Sequence, residues 1–230
     1  MKRIIYILFL LLAYNTVLAQ TKVYQFDLKD EINPASWRTT KKAIANAQEF
    51  GADVLLINMN TFGGMLDYAD SIRTALLETD MKTIVYINNN AASAGALISI
   101  ACDKIYMHKG ASIGAASVVS GSGEILPEKY QSYMRGLMRT TAESKNRDPK
   151  IAEGFVDPDL EIEGIKPKGK VITFTTAEAI ANNYCDGEAN SHTDIFTKEG
   201  IVAPEIQTYT PTVLDHIIGF LLKPAISGIL

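Results

Sequence analysis

The stretch Thr83-Ile84-Val85-Tyr86-Ile87-Asn88-Asn89-Asn90-Ala91-Ala92-Ser93-Ala94-Gly95-Ala96 decides the fold. Its first five residues form a continuous apolar run, the pattern of a strand covered on both faces. Small residues, a hydroxyl and a glycine follow. They read as a strand-to-helix turn that displays Ser93 at the start of a short helix over 94–101. Free backbone N–H groups at a helix N-terminus favour negative charge developing beside them.

The same device occurs about thirty residues upstream. The apolar run 54–59 is bounded by Gly51-Ala52-Asp53 and by the glycine turn Asn60-Thr61-Phe62-Gly63-Gly64-Met65. Working outward, Lys22–Leu28 alternates like a strand. Pro34–Phe50 has helical spacing, with proline near its start and Gly51 at the C′ position. Residues 65–78 place Leu66, Ala69, Ile72 and Leu76 on one side of a helix, and Lys104–Met107 reads as a short strand. This β-α-β-α-β-α order predicts an α/β fold, a mostly parallel sheet with right-handed crossovers and flanking helices. Ligands of such sheets bind beyond the carboxyl ends of the strands. Both glycine-containing turns lie there, so they are expected to face one crevice.

Downstream, residues 110–123 are rich in Gly, Ser and Ala and read as a mobile segment lining that crevice, with a plain surface loop as the alternative. A helix follows over 127–144, with Pro127 at its first position. Tyr130, Tyr133, Met134, Leu137, Met138 and Ala142 define its apolar face, and Lys129 lies beside that face, one turn before Tyr133.

These parts suit acyl transfer, which needs a nucleophile, a base and a cradle for an oxyanion. Ser93 by itself would be an ordinary N-cap. Its place at a strand's carboxyl end, its small neighbours and the second glycine turn make it the candidate nucleophile. His108, His192 and His216 are poorly placed to activate it. A lysine can serve instead where apolar surroundings disfavour its charged form, lowering a value that is ordinarily about 10.4. Lys129 has the most apolar setting; the plain alternative is a snorkelling surface lysine. Lys104, Lys109, Lys145 and Lys150 lie in more polar stretches. The backbone N–H groups of Gly64 and Ala94 are the candidate oxyanion donors, and Gly63 lets the chain approach a substrate without a Cβ in the way.

Apolar residues make up 47% of the 230 and charged residues 21%, the composition of an ordinary globular chain. The formal charge is −4, and no basic stripe is present, so nucleic acid is not an expected partner. Residues 1–19 read as a signal peptide: Lys2 and Arg3, an apolar stretch over 4–13, then Val17-Leu18-Ala19 before Gln20. An uncleaved membrane anchor is the alternative, and either predicts export. Without Lys2 and Arg3 the balance is 20 basic against 26 acidic residues. Cys102 and Cys185 read as buried free thiols rather than a bridge. No HxxxH or HExxH pattern occurs, and neither metal nor cofactor is expected. Residues 20–210 form the expected domain. The tail 211–230 is almost wholly apolar apart from Asp215, His216 and Lys223. It reads as the opening of a membrane region in preference to an amphipathic helix on a membrane surface.

Four stretches together resemble the N-terminal protease part of the long NfeD family, membrane-bound proteins with a ClpP/crotonase-like fold. They are Leu55-Leu56-Ile57-Asn58-Met59-Asn60-Thr61-Phe62-Gly63-Gly64, Asn90-Ala91-Ala92-Ser93-Ala94-Gly95-Ala96, Gly110-Ala111-Ser112-Ile113-Gly114-Ala115-Ala116, and Lys129-Tyr130-Gln131-Ser132-Tyr133-Met134-Arg135-Gly136-Leu137-Met138-Arg139. The resemblance covers about residues 22–210. It implies a Ser–Lys dyad, with Ser93 as nucleophile and Lys129 as base. The position at which ClpP carries its histidine falls near Ala115 or Ala116. It further implies a polypeptide substrate bound along Gly63, Gly114 and Ala115, cleavage of apolar segments in stomatin-like membrane proteins, and self-association into a dimer or larger homo-oligomer. The protease domain would lie on the extracytoplasmic side. A crotonase-type acyl-CoA enzyme and a non-catalytic scaffold for membrane partners are the rival readings; export and a serine at 93 speak against the first.

Overall fold

The computed structural model describes residues 20–221; the expected signal peptide and the last part of the tail lie outside them. The order opens as β1 (Lys22–Leu28), α1 (Pro34–Phe50), β2 (Val54–Thr61), α2 (Leu66–Glu78), β3 (Lys82–Ala92), α3 (Ala94–Ile100), β4 (Lys104–Met107) and β5 (Ser112–Gly114). It continues with α4 (Glu128–Ser144), α5 (Pro149–Gly154), β6 (Thr173–Thr175), α6 (Thr176–Ala181), β7 (Gly187–Glu188), α7 (His192–Lys198), β8 (Glu205–Thr208) and α8 (Val213–Leu221).

One sheet runs β6-β5-β3-β2-β1-β8, and β4 adds to β3 and carries β7. Every pairing is parallel except β5 with β6. The expected mostly parallel sheet with flanking helices is therefore what the chain forms. Tyr24, Phe26, Leu28, Leu55, Ile57, Met59, Val85 and Ile87 bury one face within the main core, which also takes in Ala43, Ile72 and Met138 from the helices. Val23, Val54, Leu56, Ile84, Tyr86 and Tyr106 form a smaller core on the other face with Ile195 and Phe196 of α7. Burial on both faces is why 54–59 and 83–87 carry no polar alternation.

Local chemistry fixes the helix ends. Asn33 caps α1: its Oδ1 accepts from the Ala35 and Ser36 N–H groups at 2.9 and 3.1 Å, and Ser36 Oγ accepts the Asn33 N–H at 2.8 Å. Gly51 closes α1 in the left-handed conformation at φ +70°. Pro127 stands one residue earlier than expected, at the cap of α4.

Two expectations need correction. Residues 88–92 belong to β3 rather than to the turn. The β2–β3 register slips there, with Met59 opposite Ile87 but Thr61 opposite Ala91. Asn60 Oδ1 fills the gap by accepting the Asn90 N–H at 3.2 Å, which makes this a bulge beside the crevice. The segment 110–123 is in part regular: Ser112–Gly114 pairs between β3 and β6, and Val119 bridges Ile125 across a tight turn. A three-residue strand has too little periodicity to stand out in a Gly/Ser/Ala-rich stretch.

Cys102 and Cys185 are buried free thiols, as expected. Burial pushes the Cys102 thiol up to about 12 and the Cys185 thiol up to about 11. On the smaller face His192 stands edge-on to Tyr86, with ring centroids 5.7 Å apart, and its Nε2 lies 2.6 Å from Asn58 Oδ1. Burial pushes the imidazole below its ordinary range; Asp27 opposes that shift and Lys29 adds to it. The folded state thus binds this proton more weakly than the unfolded chain does. Stability falls as pH drops below about 6.5. The thermal midpoint is expected to be lower at pH 5.5 than at pH 7.5, and the difference to shrink in His192→Gln. An identical pH response in the variant would remove His192 as its source.

Candidate functional site

Ser93 follows β3 directly and caps α3, but its side chain makes no cap hydrogen bond. Its backbone sits at φ 52°, ψ −115°, a conformation that non-glycine residues avoid. Holding it there costs about 1–3 kcal/mol. The turn is thus sharp and strained, and it leaves the Ser93 hydroxyl without the hydrogen bond that a simple cap would make. The strain is held by the β5 end, where the carbonyls of Gly114 and Ala115 each accept the Ser93 N–H at 3.0 Å. Ala115 is itself at φ +36°.

The glycine turn after β2 reaches the same place. A Cβ on Gly63 would stand 2.6 Å from Ser93 Cβ and 3.2 Å from Ser93 Oγ. The two turns therefore share one crevice, as the topology predicts. Gly63 is buried and Gly64 exposed, at φ +112° and +151°. The Ile32 N–H donates to the Gly63 carbonyl at 2.9 Å, and the Met65 N–H to the Ile32 carbonyl at 2.7 Å. A Cβ on Gly64 would collide with the Ile32 backbone. Beside this turn opens a cavity of about 440 Å³ lined by Lys29, Asp30, Glu31, Phe62, Gly63 and Gly64. Phe62 stands 81% exposed at its rim.

Lys129 departs from its expected setting. It lies exposed in the first turn of α4, its amine 4.8 Å from the centroid of the Tyr130 ring. The face of α4 that meets the core is Gln131, Met134, Met138, Thr141 and Ala142; Tyr130 and Tyr133 point outward. The apolar spacing was right for Met134, Met138 and Ala142. The tyrosines carry hydroxyls and stay at the surface, where Tyr133 OH donates to Asp70 at 3.3 Å. The structure thus brings together Gly63, Gly64, Ser93, Ala94, Gly114 and Ala115, and leaves Lys129 in solvent at the start of the neighbouring helix. Lys104 and Lys145 are engaged with Asp186 and Asp103, at 2.8 and 2.6 Å.

Sequence reasoning passed over Gln131. Its amide clamps the turn before α4: Oε1 accepts the Val118 N–H at 3.0 Å, and Nε2 donates to the Val118 carbonyl at 2.7 Å and the Leu126 carbonyl at 3.2 Å. A polar residue at a core-facing position of an amphipathic helix was the signal available. Among the described residues no group of three or more His, Cys, Asp or Glu side chains could hold a metal.

The chain as a whole has relatives among known proteins. A family model for the NfeD1b N-terminal domain matches residues 22–209. The chain belongs to the NfeD1b family. It is 29% identical over 217 residues to membrane protein NfeD1b of Bacillus subtilis (strain 168), covering 94% of this chain and 50% of that protein. It is 24% identical over 232 residues to the membrane-bound protease PH1510 of Pyrococcus horikoshii, covering 94% of this chain and 52% of that protein. The chain thus spans about half the length of the curated relatives it matches.

Solved structures establish the family fold as ClpP-like. The N-terminal part of the Pyrococcus protein, described as a membrane-bound stomatin-specific protease and solved as a lysine-to-alanine variant with a substrate peptide, superposes with a TM-score of 0.76 at 22% identity. That match covers 89% of this chain and 99% of the other. A serine-to-alanine variant of the same protein matches with a TM-score of 0.72 at 22% identity, covering 84% of this chain and 100% of the other. ClpP1 from Listeria monocytogenes matches with a TM-score of 0.58 at 15% identity, over 77% of this chain and 94% of that one.

Proposed function

We propose that this family member is a membrane-associated serine endopeptidase working through a Ser93–Lys129 dyad. The observation that carries the reading is Ser93 itself, a non-glycine residue in a strained elbow with its hydroxyl unspent against a Gly-Gly turn. Neutral Lys129 takes the Ser93 proton as Oγ attacks the scissile carbonyl carbon. The N–H groups of Gly64 and Ala94 hold the tetrahedral oxyanion. The C–N bond then breaks as the Lys129 ammonium protonates the leaving amine, and water hydrolyses the acyl-serine to restore the enzyme. An amine gives up its proton near neutral pH only where water is kept from it. The exposed position of Lys129 therefore assigns an active role to what covers it. An apolar peptide lying along Gly63, Gly114 and Ala115, or a second copy of the chain, would supply that cover over Lys129 and the exposed Tyr130 ring it rests on.

The substrate class is an apolar segment of a membrane protein. Support comes from the Pyrococcus relative, whose solved domain is called stomatin-specific. Mass-spectrometric detection of an acyl or phosphonyl adduct on Ser93, together with cleavage of an apolar peptide, tests the reading. A protein that forms no adduct and cleaves nothing, alone or self-associated, would leave the scaffold reading instead.

Membrane association is proposed to run through the C-terminal end, with the peptidase domain on the extracytoplasmic side. No helix among the described residues is long and apolar enough to cross a membrane. Helix α8, however, exposes Val213, Leu214, Ile217 and Leu221. Asp215 anchors the opposite side: it accepts from Lys42, from Arg38 at 3.5 Å and from the Thr212 N–H and hydroxyl at 3.1 and 2.8 Å. These donors, Lys42 foremost, hold its carboxyl well below the usual range. Burying one leucine-sized side chain contributes about 1.5–3 kcal/mol, so Leu214→Asp is expected to weaken binding to phospholipid vesicles at least about tenfold. Unchanged sedimentation with vesicles would remove α8 from the membrane contact.

A further inference from the structure

Thr61 is buried, 2% exposed, at the last position of β2. Its hydroxyl donates to the Asp30 carbonyl at 2.7 Å and accepts the Gly63 N–H at 3.1 Å. Its methyl faces the other way: a Cβ on Gly95 would meet Thr61 Cγ2 at 2.6 Å. One side chain thus touches three parts of the site. These are the strap of residues 30–32, the Gly63–Gly64 turn and the first turn of the helix that follows Ser93. The strap's next contact, Ile32 N–H to the Gly63 carbonyl at 2.9 Å, fixes the Gly63–Gly64 peptide plane. In a trans peptide the C=O and N–H point in opposite directions. Aiming the Gly63 carbonyl at the strap therefore aims the Gly64 N–H away from it, toward the open side of the turn.

We propose that Thr61 is a positioning residue for the reaction: it locks the strap to the turn and so holds the Gly64 N–H where an oxyanion on a Ser93 adduct would form. This deepens the peptidase reading and rests on it. Nothing else on the turn replaces the hydroxyl, because a single Oγ both receives the Gly63 N–H and binds the strap carbonyl. The methyl has its own function, since Gly95 leaves a gap that the Thr61 side chain fills. Serine would keep the hydrogen bonds and lose the gap-filling; valine would keep the shape and lose the hydrogen bonds.

The test compares Thr61→Val with Thr61→Ser on two readouts: peptide cleavage, and amide hydrogen exchange of the segment 62–66 in the folded chain. Thr61→Val is expected to lower kcat about 10- to 100-fold, with KM within about threefold, as for an interaction made mainly in the transition state. Exchange of the Gly63 amide should rise at least about tenfold, because it loses its acceptor. Thr61→Ser should stay within about threefold of wild type on both. Gly95→Ala, which keeps the hydroxyl but displaces it by pushing on the Thr61 methyl, should move both readouts in the direction of Thr61→Val. Wild-type kcat in Thr61→Val, or unchanged exchange in 62–66, overturns the proposal. If wild type neither cleaves nor labels at Ser93, the peptidase reading fails. Exchange then still decides whether Thr61 anchors the turn: faster exchange in Thr61→Val supports the anchor, and equal exchange ends it.

Discussion

Replacing Ser93 with alanine is expected to abolish peptide cleavage, and replacing Lys129 with alanine to lower it by about two to four orders of magnitude, with both variants still folded. The Ser93 hydroxyl makes no cap hydrogen bond, so removing it takes nothing from the fold. Alanine meets the same positive φ and the same two carbonyl acceptors for its N–H, so the backbone strain is unchanged. Lys129 is exposed and rests over the Tyr130 ring, so its truncation removes one surface contact, and the thermal midpoint should move by a degree or two at most. A lost rate with an intact fold separates chemistry from packing. Lys129→Arg sharpens the test: the guanidinium keeps the charge and the stacking but does not release a proton. It should be as inactive as the alanine variant. A role in binding an acidic substrate group would instead be rescued by arginine. The wild-type rate should rise with pH over the range in which the base loses its proton. Cleavage at wild-type level by Lys129→Ala would end the dyad.

The exposure of Lys129 marks the limit of what was legible in the sequence. Strands β1 to β4 and helices α1 to α4 announce themselves through burial on both faces, 3.6-residue spacing, Pro34 and Gly51. The crevice was legible because parallel strands put their carboxyl ends on one edge, and two such ends carry small residues. The positions of Ser93, Gly63 and Gly64 followed. What remained hidden depends on contacts distant in sequence. Ile32 reads as an ordinary apolar residue before a helix, yet its backbone pairs with the glycine turn through Gly63 and Met65. Thr61 reads as one residue of the glycine turn; the structure makes it the last residue of β2, and only the 30–32 strap gives its hydroxyl a purpose. The strands after residue 110 are two to four residues long and draw their stability from neighbours rather than from their own pattern. The setting of Lys129 was misjudged because apolar spacing does not distinguish a tyrosine that packs from one that stays wet. Tyr130 and Tyr133 belong to the second kind.

Gly63→Ala is expected to lower kcat/KM at least about a thousandfold, and to do so by forcing the glycine turn away from Ser93 rather than by unfolding the domain. Two penalties act at this position. The backbone is at φ +112°, where any side chain is strained, for about 1–3 kcal/mol. The added Cβ would also lie 2.6 Å from Ser93 Cβ and 3.2 Å from both Ser93 Oγ and the Ala92 carbonyl. Ser93 cannot give way easily, because its N–H is held by Gly114 and Ala115 and its own φ is already positive. The glycine turn must therefore move outward, taking the Gly64 N–H with it. Loss of one oxyanion donor costs about 10²–10³ in kcat, and a substrate carbonyl held about an ångström off line from the nucleophile costs about 10² more. Gly110→Ala is the control: its φ is +84°, but a Cβ there meets nothing within 4 Å. It should share the loss of thermal stability and keep its activity. The pair thus divides backbone strain from collision with the nucleophile. Labelling of Ser93 by an acylating probe should fall in Gly63→Ala and stay at wild-type level in Gly110→Ala. Retention of more than a tenth of the activity by Gly63→Ala would mean that the turn and the serine are not held against each other during catalysis. The oxyanion role of Gly64 would then fall with it, since the same peptide plane carries both.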